Sequence, residues 1–180
     1  MTRIKPIAVE EAKDDVKAIY QNLEKKMGKV LNIFQNMANS PETLKAFLGL
    51  NEAAGQTSLS PKLREEIALA VAQANHCQYC LSAHSTHAKA IGMTPQEIIS
   101  ARQAESQDKK NQAILKFVHQ VVENRGNVAN QDVDGLKTAG VTDKELVEII
   151  LSITVNLFTN YFNLITDPKI DFPQAPELKD

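Results

Sequence analysis

Tryptophan is absent from this chain, aromatic residues make up only 5% of it, and cysteine occurs twice. The scarcity of aromatics leaves few stacking platforms, and a formal net charge of −2, with basic residues dispersed among acidic ones, leaves no basic field. No nucleic-acid partner is therefore expected. No stretch alternates apolar and polar residues as a half-buried strand does, and there is no glycine-rich phosphate loop. The opening residues, Met1-Thr2-Arg3-Ile4-Lys5-Pro6, lead into the charged Glu10-Glu11-Ala12-Lys13-Asp14-Asp15 instead of an apolar run. A secretory leader is not expected, and the cytoplasm is the expected compartment. The longest uncharged run, Ile149 to Thr166, carries Ser152, Thr154, Asn156, Thr159, Asn160, Asn163 and Thr166. That is too polar for a lipid-facing span, so a buried helix and no membrane partner are expected.

What the chain does have is punctuation for helices. Ser40-Pro41, Ser60-Pro61 and Thr94-Pro95 each precede a helical pattern, where the hydroxyl accepts from a first-turn N–H and proline loses nothing by lacking a donor. Thr94 and Thr142 are followed three residues later by Glu97 and Glu145, as in a capping box. The periodicity predicts helices from Val9 to Met27, Val30 to Met37, Pro41 to Ala54 and from Pro61. Further helices are predicted over the cysteines up to Gly92, from Pro95 to Ala104, around Ala113 to Val122, over Val133 to Thr138, and from Asp143 to Ile165. With 43% hydrophobic residues the chain can fill one core. The expected fold is an all-α multi-helix bundle, a single domain over 1–180. An irregular tail is expected from about residue 167, where Pro168, Pro173 and Pro176 cluster.

The two cysteines lie in Cys77-Gln78-Tyr79-Cys80-Leu81-Ser82-Ala83-His84, at the predicted start of a helix, with Glu65 on the helix before. Thiols at i and i+3 lie within reach of a disulfide, and each stabilises the other's thiolate. At about 100° per residue, Cys77, Cys80, Leu81, His84, His87, Ala88 and Ile91 share one face, while Tyr79, Ser82, Thr86 and Lys89 point away. Glu65 falls with Ala68, Leu69 and Ala72 on an apolar face, where a carboxyl is expected to hold its proton more tightly; it is also a first-turn acid of the kind a helix dipole favours. Asn156, Asn160 and Asn163 recur at helical spacing; such a ladder caps neighbouring backbone groups or crosses a subunit interface, and the interface is favoured over a catalytic role. His76 reads as a capping or solvent group and His119 as a surface residue.

The chemistry open to this set is thiol redox chemistry. A cysteine pair at a helix N-terminus meets unpaired N–H groups and the positive end of the dipole, which favour the thiolate. One sulfur attacks a peroxide oxygen or a disulfide sulfur, and the other condenses with the sulfenic acid or mixed disulfide that results. His84 is placed to take the thiol proton, and Glu65 to orient His84 or carry the proton further. No metal, haem or other cofactor is required. Haem attachment needs a histidine directly after the second cysteine, where Leu81 stands, and a thioredoxin-type site needs a preceding strand. An alternative is a zinc-binding or redox-sensing interaction module without turnover, with Cys77, Cys80 and His84 as ligands and Glu65, His76 or His87 as a fourth.

Glu65, Cys77-x-x-Cys80 and His84, continuing into Ala88-x-x-Ile91-Gly92, resemble the alkylhydroperoxidase D-like branch of the carboxymuconolactone decarboxylase family over about residues 61–95. The resemblance implies an all-α fold that forms homo-oligomers, and peroxidase or disulfide reductase activity on a hydroperoxide or disulfide substrate. A thiol protein or small thiol would restore the dithiol. By that likeness Cys80 is the attacking thiol, Cys77 the resolving one, His84 the base and Glu65 its relay partner. Lactone decarboxylases of the family lack the cysteine pair, so its presence argues against decarboxylation here. One departure is plain: well-described members carry a histidine next to the second cysteine, and this chain has Tyr79, a poor base near pH 7.

Overall fold

The computed structural model describes residues 2–178, and among them it contains nine α-helices and no strand. They are α1 (Asp14–Met27), α2 (Asn32–Met37), α3 (Pro41–Gly55), α4 (Pro61–Ala74), α5 (Gln78–Ala90), α6 (Pro95–Arg102), α7 (Lys109–Glu123), α8 (Asn130–Thr138) and α9 (Asp143–Thr166). The hydroxyl caps form as the sequence predicts. Ser40, Ser60, Thr94 and Thr142 accept from the backbone N–H of Thr43, Leu63, Glu97 and Glu145, and the two threonines complete capping boxes.

Boundaries differ where local chemistry was not legible. The first helix does not begin at Val9: Val9–Glu11 is one 3-10 turn, Ala12 and Lys13 are extended, and the helix restarts with Asp14 and Asp15 in its first turn. The helix placed over Ala113 to Val122 begins earlier, at Lys109. Asp108 is its N-cap and accepts from Asn111 N–H at 2.8 Å.

Helix α4 is the central element. Leu63 and every residue from Glu66 to Ala72 are buried, so all sides of the helix face protein, and α5, α6, α7 and α9 pack around it. Ile67 and Val71 join Ile114, Leu115 and Val118 of α7 and Ile149 and Ile153 of α9 in one cluster, while Leu69 meets Ala88, Ile98 and Ala101 in a second. A third cluster joins α1, α2 and α3 to the start of α5 through Tyr20, Phe34, Met37, Leu44 and Leu81. Each fully buried aliphatic or aromatic side chain of this kind contributes about 1.5–3 kcal/mol.

Helix α9 is long and apolar enough to cross a membrane by length and composition alone, but 44% of that apolar window is buried in the fold. One side packs on α3, α4 and α5. The other leaves Val147, Ile150, Tyr161 and Ile165 exposed. The asparagine ladder faces inward. Asn156, Asn160 and Asn163 are all buried within the chain, which corrects the expectation that they lie at a subunit interface. After Thr166 the chain is irregular, and it folds back over the bundle with Ile170, Phe172 and Ala175 against the third cluster.

Because α4 carries Glu65 into the site, its start is a sensitive position. Ser60→Ala removes the acceptor for Leu63 N–H and is expected to lower unfolding stability by about 1 kcal/mol, read as a lower urea midpoint at unchanged m-value.

Candidate functional site

Helices α4 and α5 form a tight hairpin whose turn is held by its own polar groups. Cys77 N–H donates to Ala72 C=O at 2.9 Å, and Asn75 Nδ2 donates to Val71 C=O and to Asn160 Oδ1. His76 takes the left-handed conformation at φ 53° and is exposed, in keeping with a capping or solvent group. His119 is exposed, as expected. The hairpin brings the first half of α4 alongside the second turn of α5, and Glu65 meets His84 there: Nδ1 lies 2.9 Å from Oε2.

Cys77 is the N-cap of α5, its Sγ accepting from Cys80 N–H at 3.4 Å. The two sulfurs are in disulfide geometry, with Cα atoms 5.3 Å apart. Bonded to each other, they do not serve as zinc ligands in this state. Cys80 also accepts from Asn163 Nδ2 of α9 at 3.3 Å, with both groups buried. Cys80, His84, Glu65 and Asn163 all line one cavity of about 590 Å³, walled by Leu23, Leu31, Ile33, Phe34, Phe47 and Phe172; Cys77 does not line it. Glu65 and His84 also border a smaller pocket of about 170 Å³, next to Arg64 and Ser152.

The electrostatics correct one expectation. Burial alone raises the proton affinity of Glu65, but the His84 imidazole opposes it by charge and hydrogen bond, helped by His87 and Arg64, and the carboxyl ends below its ordinary range. The neighbouring Glu66 is the acid that holds its proton more tightly. It is buried, it faces α7, and Asn111 Nδ2 at 2.9 Å and Lys62 only partly offset its desolvation.

Two residues expected to point outward are buried. Tyr79 donates its hydroxyl to Asp171 Oδ2 at 2.5 Å, and Ser82 Oγ accepts from Ala175 N–H at 3.1 Å. The returning tail covers the face that helical spacing assigned to solvent. Burial, then the bond to Asp171, push the Tyr79 hydroxyl far above its ordinary value, so it stays protonated and takes no part as a base. Sequence reasoning missed Asn163 as a neighbour of Cys80, although its place in the ladder marked it as a buried amide. It also missed Asp171, whose position in a proline-rich tail carries no signal.

Residues 41–118 match the model of the carboxymuconolactone decarboxylase family. In fold, the chain is similar to an uncharacterized peroxidase-related protein from Silicibacter sp. TM1040, with TM-score 0.84 and 23% identity over 95% of this chain and 93% of that one. It is similar to the alkylhydroperoxidase AhpD core of a peroxidase-related protein from Ralstonia eutropha JMP134, with TM-score 0.84 and 22% identity over 94% and 92%. A third likeness is to the debrominase Bmp8, with TM-score 0.80 and 21% identity over 95% and 93%. No curated protein matches the sequence.

The depressed Glu65 carboxyl has a testable sign. Its contribution to stability is full above the ordinary carboxylate range and is lost as pH falls through the folded value. His84→Leu removes the main opposing partner and leaves burial in place. The Glu65 midpoint, followed by carboxyl carbon NMR, is expected to rise above the ordinary range; a midpoint that stays depressed contradicts the assignment.

Proposed function

Because residues 41–118 match the model of the carboxymuconolactone decarboxylase family and the fold is similar to that of alkylhydroperoxidase AhpD-like proteins, we propose that the chain is a thiol peroxidase. It reduces hydroperoxides through a dithiol/disulfide cycle at Cys80 and Cys77. One observation carries the reading: Cys80 faces the large cavity together with the Glu65–His84 pair, while Cys77 sits behind it at the helix cap.

In the reduced enzyme His84 takes the Cys80 proton and Glu65 holds the imidazole in place. The thiolate attacks the terminal peroxide oxygen, the O–O bond breaks, and the alkoxide takes a proton and leaves as an alcohol, with Cys80 as sulfenic acid. The Cys77 thiol then attacks the Cys80 sulfur, a water leaves, and the disulfide forms. A dithiol reductant, protein or small molecule, returns the pair to thiols. Asn163 Nδ2 and the first turn of α5 stabilise negative charge on the attacking sulfur. The smaller pocket beside Glu65 supports a proton path away from the sulfur.

The walls of the cavity suit a hydroperoxide with an apolar body. Tyr79 is bound to Asp171, so the relay is His84 and Glu65 without a third base. Decarboxylation makes no use of a sulfur pair with Cys80 at the cavity wall, which favours the peroxidase reading. A cytoplasmic location belongs to the same proposal, as does assembly into a homo-oligomer, which the exposed side of α9 supports.

The test is consumption of an organic hydroperoxide with a dithiol reductant. Cys80→Ser is expected to abolish turnover, and Cys77→Ser to leave a sulfenic acid at Cys80 that dimedone traps. His84→Ala is expected to slow peroxide consumption about 10²- to 10⁴-fold. Full turnover in both serine variants overturns the assignment.

A further inference from the structure

Glu65 and His84 have a third neighbour that the peroxidase cycle leaves unused. His87 lies three residues after His84 on α5, and one ligand atom from each of Glu65, His84 and His87 lies within 4.8 Å of the others. The three come from two packed helices, so backbone packing holds the spacing. The His87 ring stands perpendicular to His84 at 6.3 Å between centroids and edge-on to Phe172 at 6.0 Å, which fixes the side on which it faces the pair. Arg64, the cation next to Glu65 in sequence, directs its guanidinium to Leu59 C=O at 2.5 Å. All three residues line the large cavity, which leaves room for a non-protein ligand.

From this we infer a binding site for a divalent transition-metal cation of the zinc type at Glu65, His84 and His87, separate from the cysteine pair. Two imidazoles and one carboxylate, with a fourth position open to the cavity, make a donor set that zinc and cobalt accept. Tetrahedral zinc with bonds of about 2.0–2.1 Å places its ligand atoms about 3.3 Å apart. Glu65 and His84 already meet at 2.9 Å, so the remaining closure falls on His87, which is exposed. The site forms with the disulfide intact, since no sulfur takes part.

The consequence rests on the peroxidase reading. A metal held here occupies the groups that relay the Cys80 proton, so the cation acts as a reversible inhibitor competing with the relay.

The test uses the full oxidised chain with no peroxide present, so its failure is distinct from failure of the peroxidase assignment. Cobalt(II) is the probe, with zinc as competitor. One cobalt per chain is expected, with visible d–d absorption, no thiolate charge-transfer band, and loss of the signal on adding zinc. His87→Ala is expected to weaken zinc binding at least about tenfold, outer-shell partners alone being worth 10- to 100-fold. The Cys77→Ser/Cys80→Ser double variant is expected to bind as wild type. No saturable binding, equal affinity in the folded His87→Ala variant, or loss of binding in the double serine variant each overturns the site.

Discussion

The contact between the Glu65 carboxylate and the His84 imidazole, 2.9 Å across the α4–α5 hairpin, is the constraint on which the site depends. A carboxylate that accepts from one ring nitrogen fixes the orientation of the imidazole and leaves the other nitrogen for the cavity. Burial opposes ionisation of Glu65, and the charge and hydrogen bond of His84 overcome it. Neither residue holds this arrangement alone. It needs α4 sunk in the protein on every side and a turn at Asn75–Cys77 tight enough to start α5 with a sulfur at its cap.

Two other segments complete the site from a distance. Helix α9 presents Asn163 to Cys80, placing an N–H donor on the sulfur. The tail after Thr166 brings Asp171 to Tyr79, Phe172 to the cavity wall and Ala175 to Ser82. Tyr79 is thereby a structural strut. Its place between the cysteines is filled by packing, and its hydroxyl is held by Asp171.

Much of this was legible in the chain because the signals are local. A hydroxyl before a proline caps a helix whatever surrounds it, so Ser40, Ser60 and Thr94 start helices as expected. The spacing of Cys80 and His84 places both on the cavity side of α5, and residues 41–118 match the model of the family that the same motif resembles. What was hidden depends on partners far along the chain. Tyr79 and Ser82 sit on the face that periodicity assigns to solvent, and a tail some ninety residues away covers them. The acid that holds its proton more tightly is Glu66 and not Glu65, because Glu65 faces His84 and Glu66 faces α7. Asn163 looks like an interface residue until the packing of α9 on α5 turns it toward Cys80.

The central claim, that the Glu65–His84 pair activates Cys80, is tested most directly by the pH dependence of Cys80 alkylation in the reduced chain, compared with Glu65→Gln. The expected result is a midpoint below the ordinary thiol value of about 8.5 that moves upward in the variant. Identical midpoints near that of a free thiol in both proteins would contradict the account.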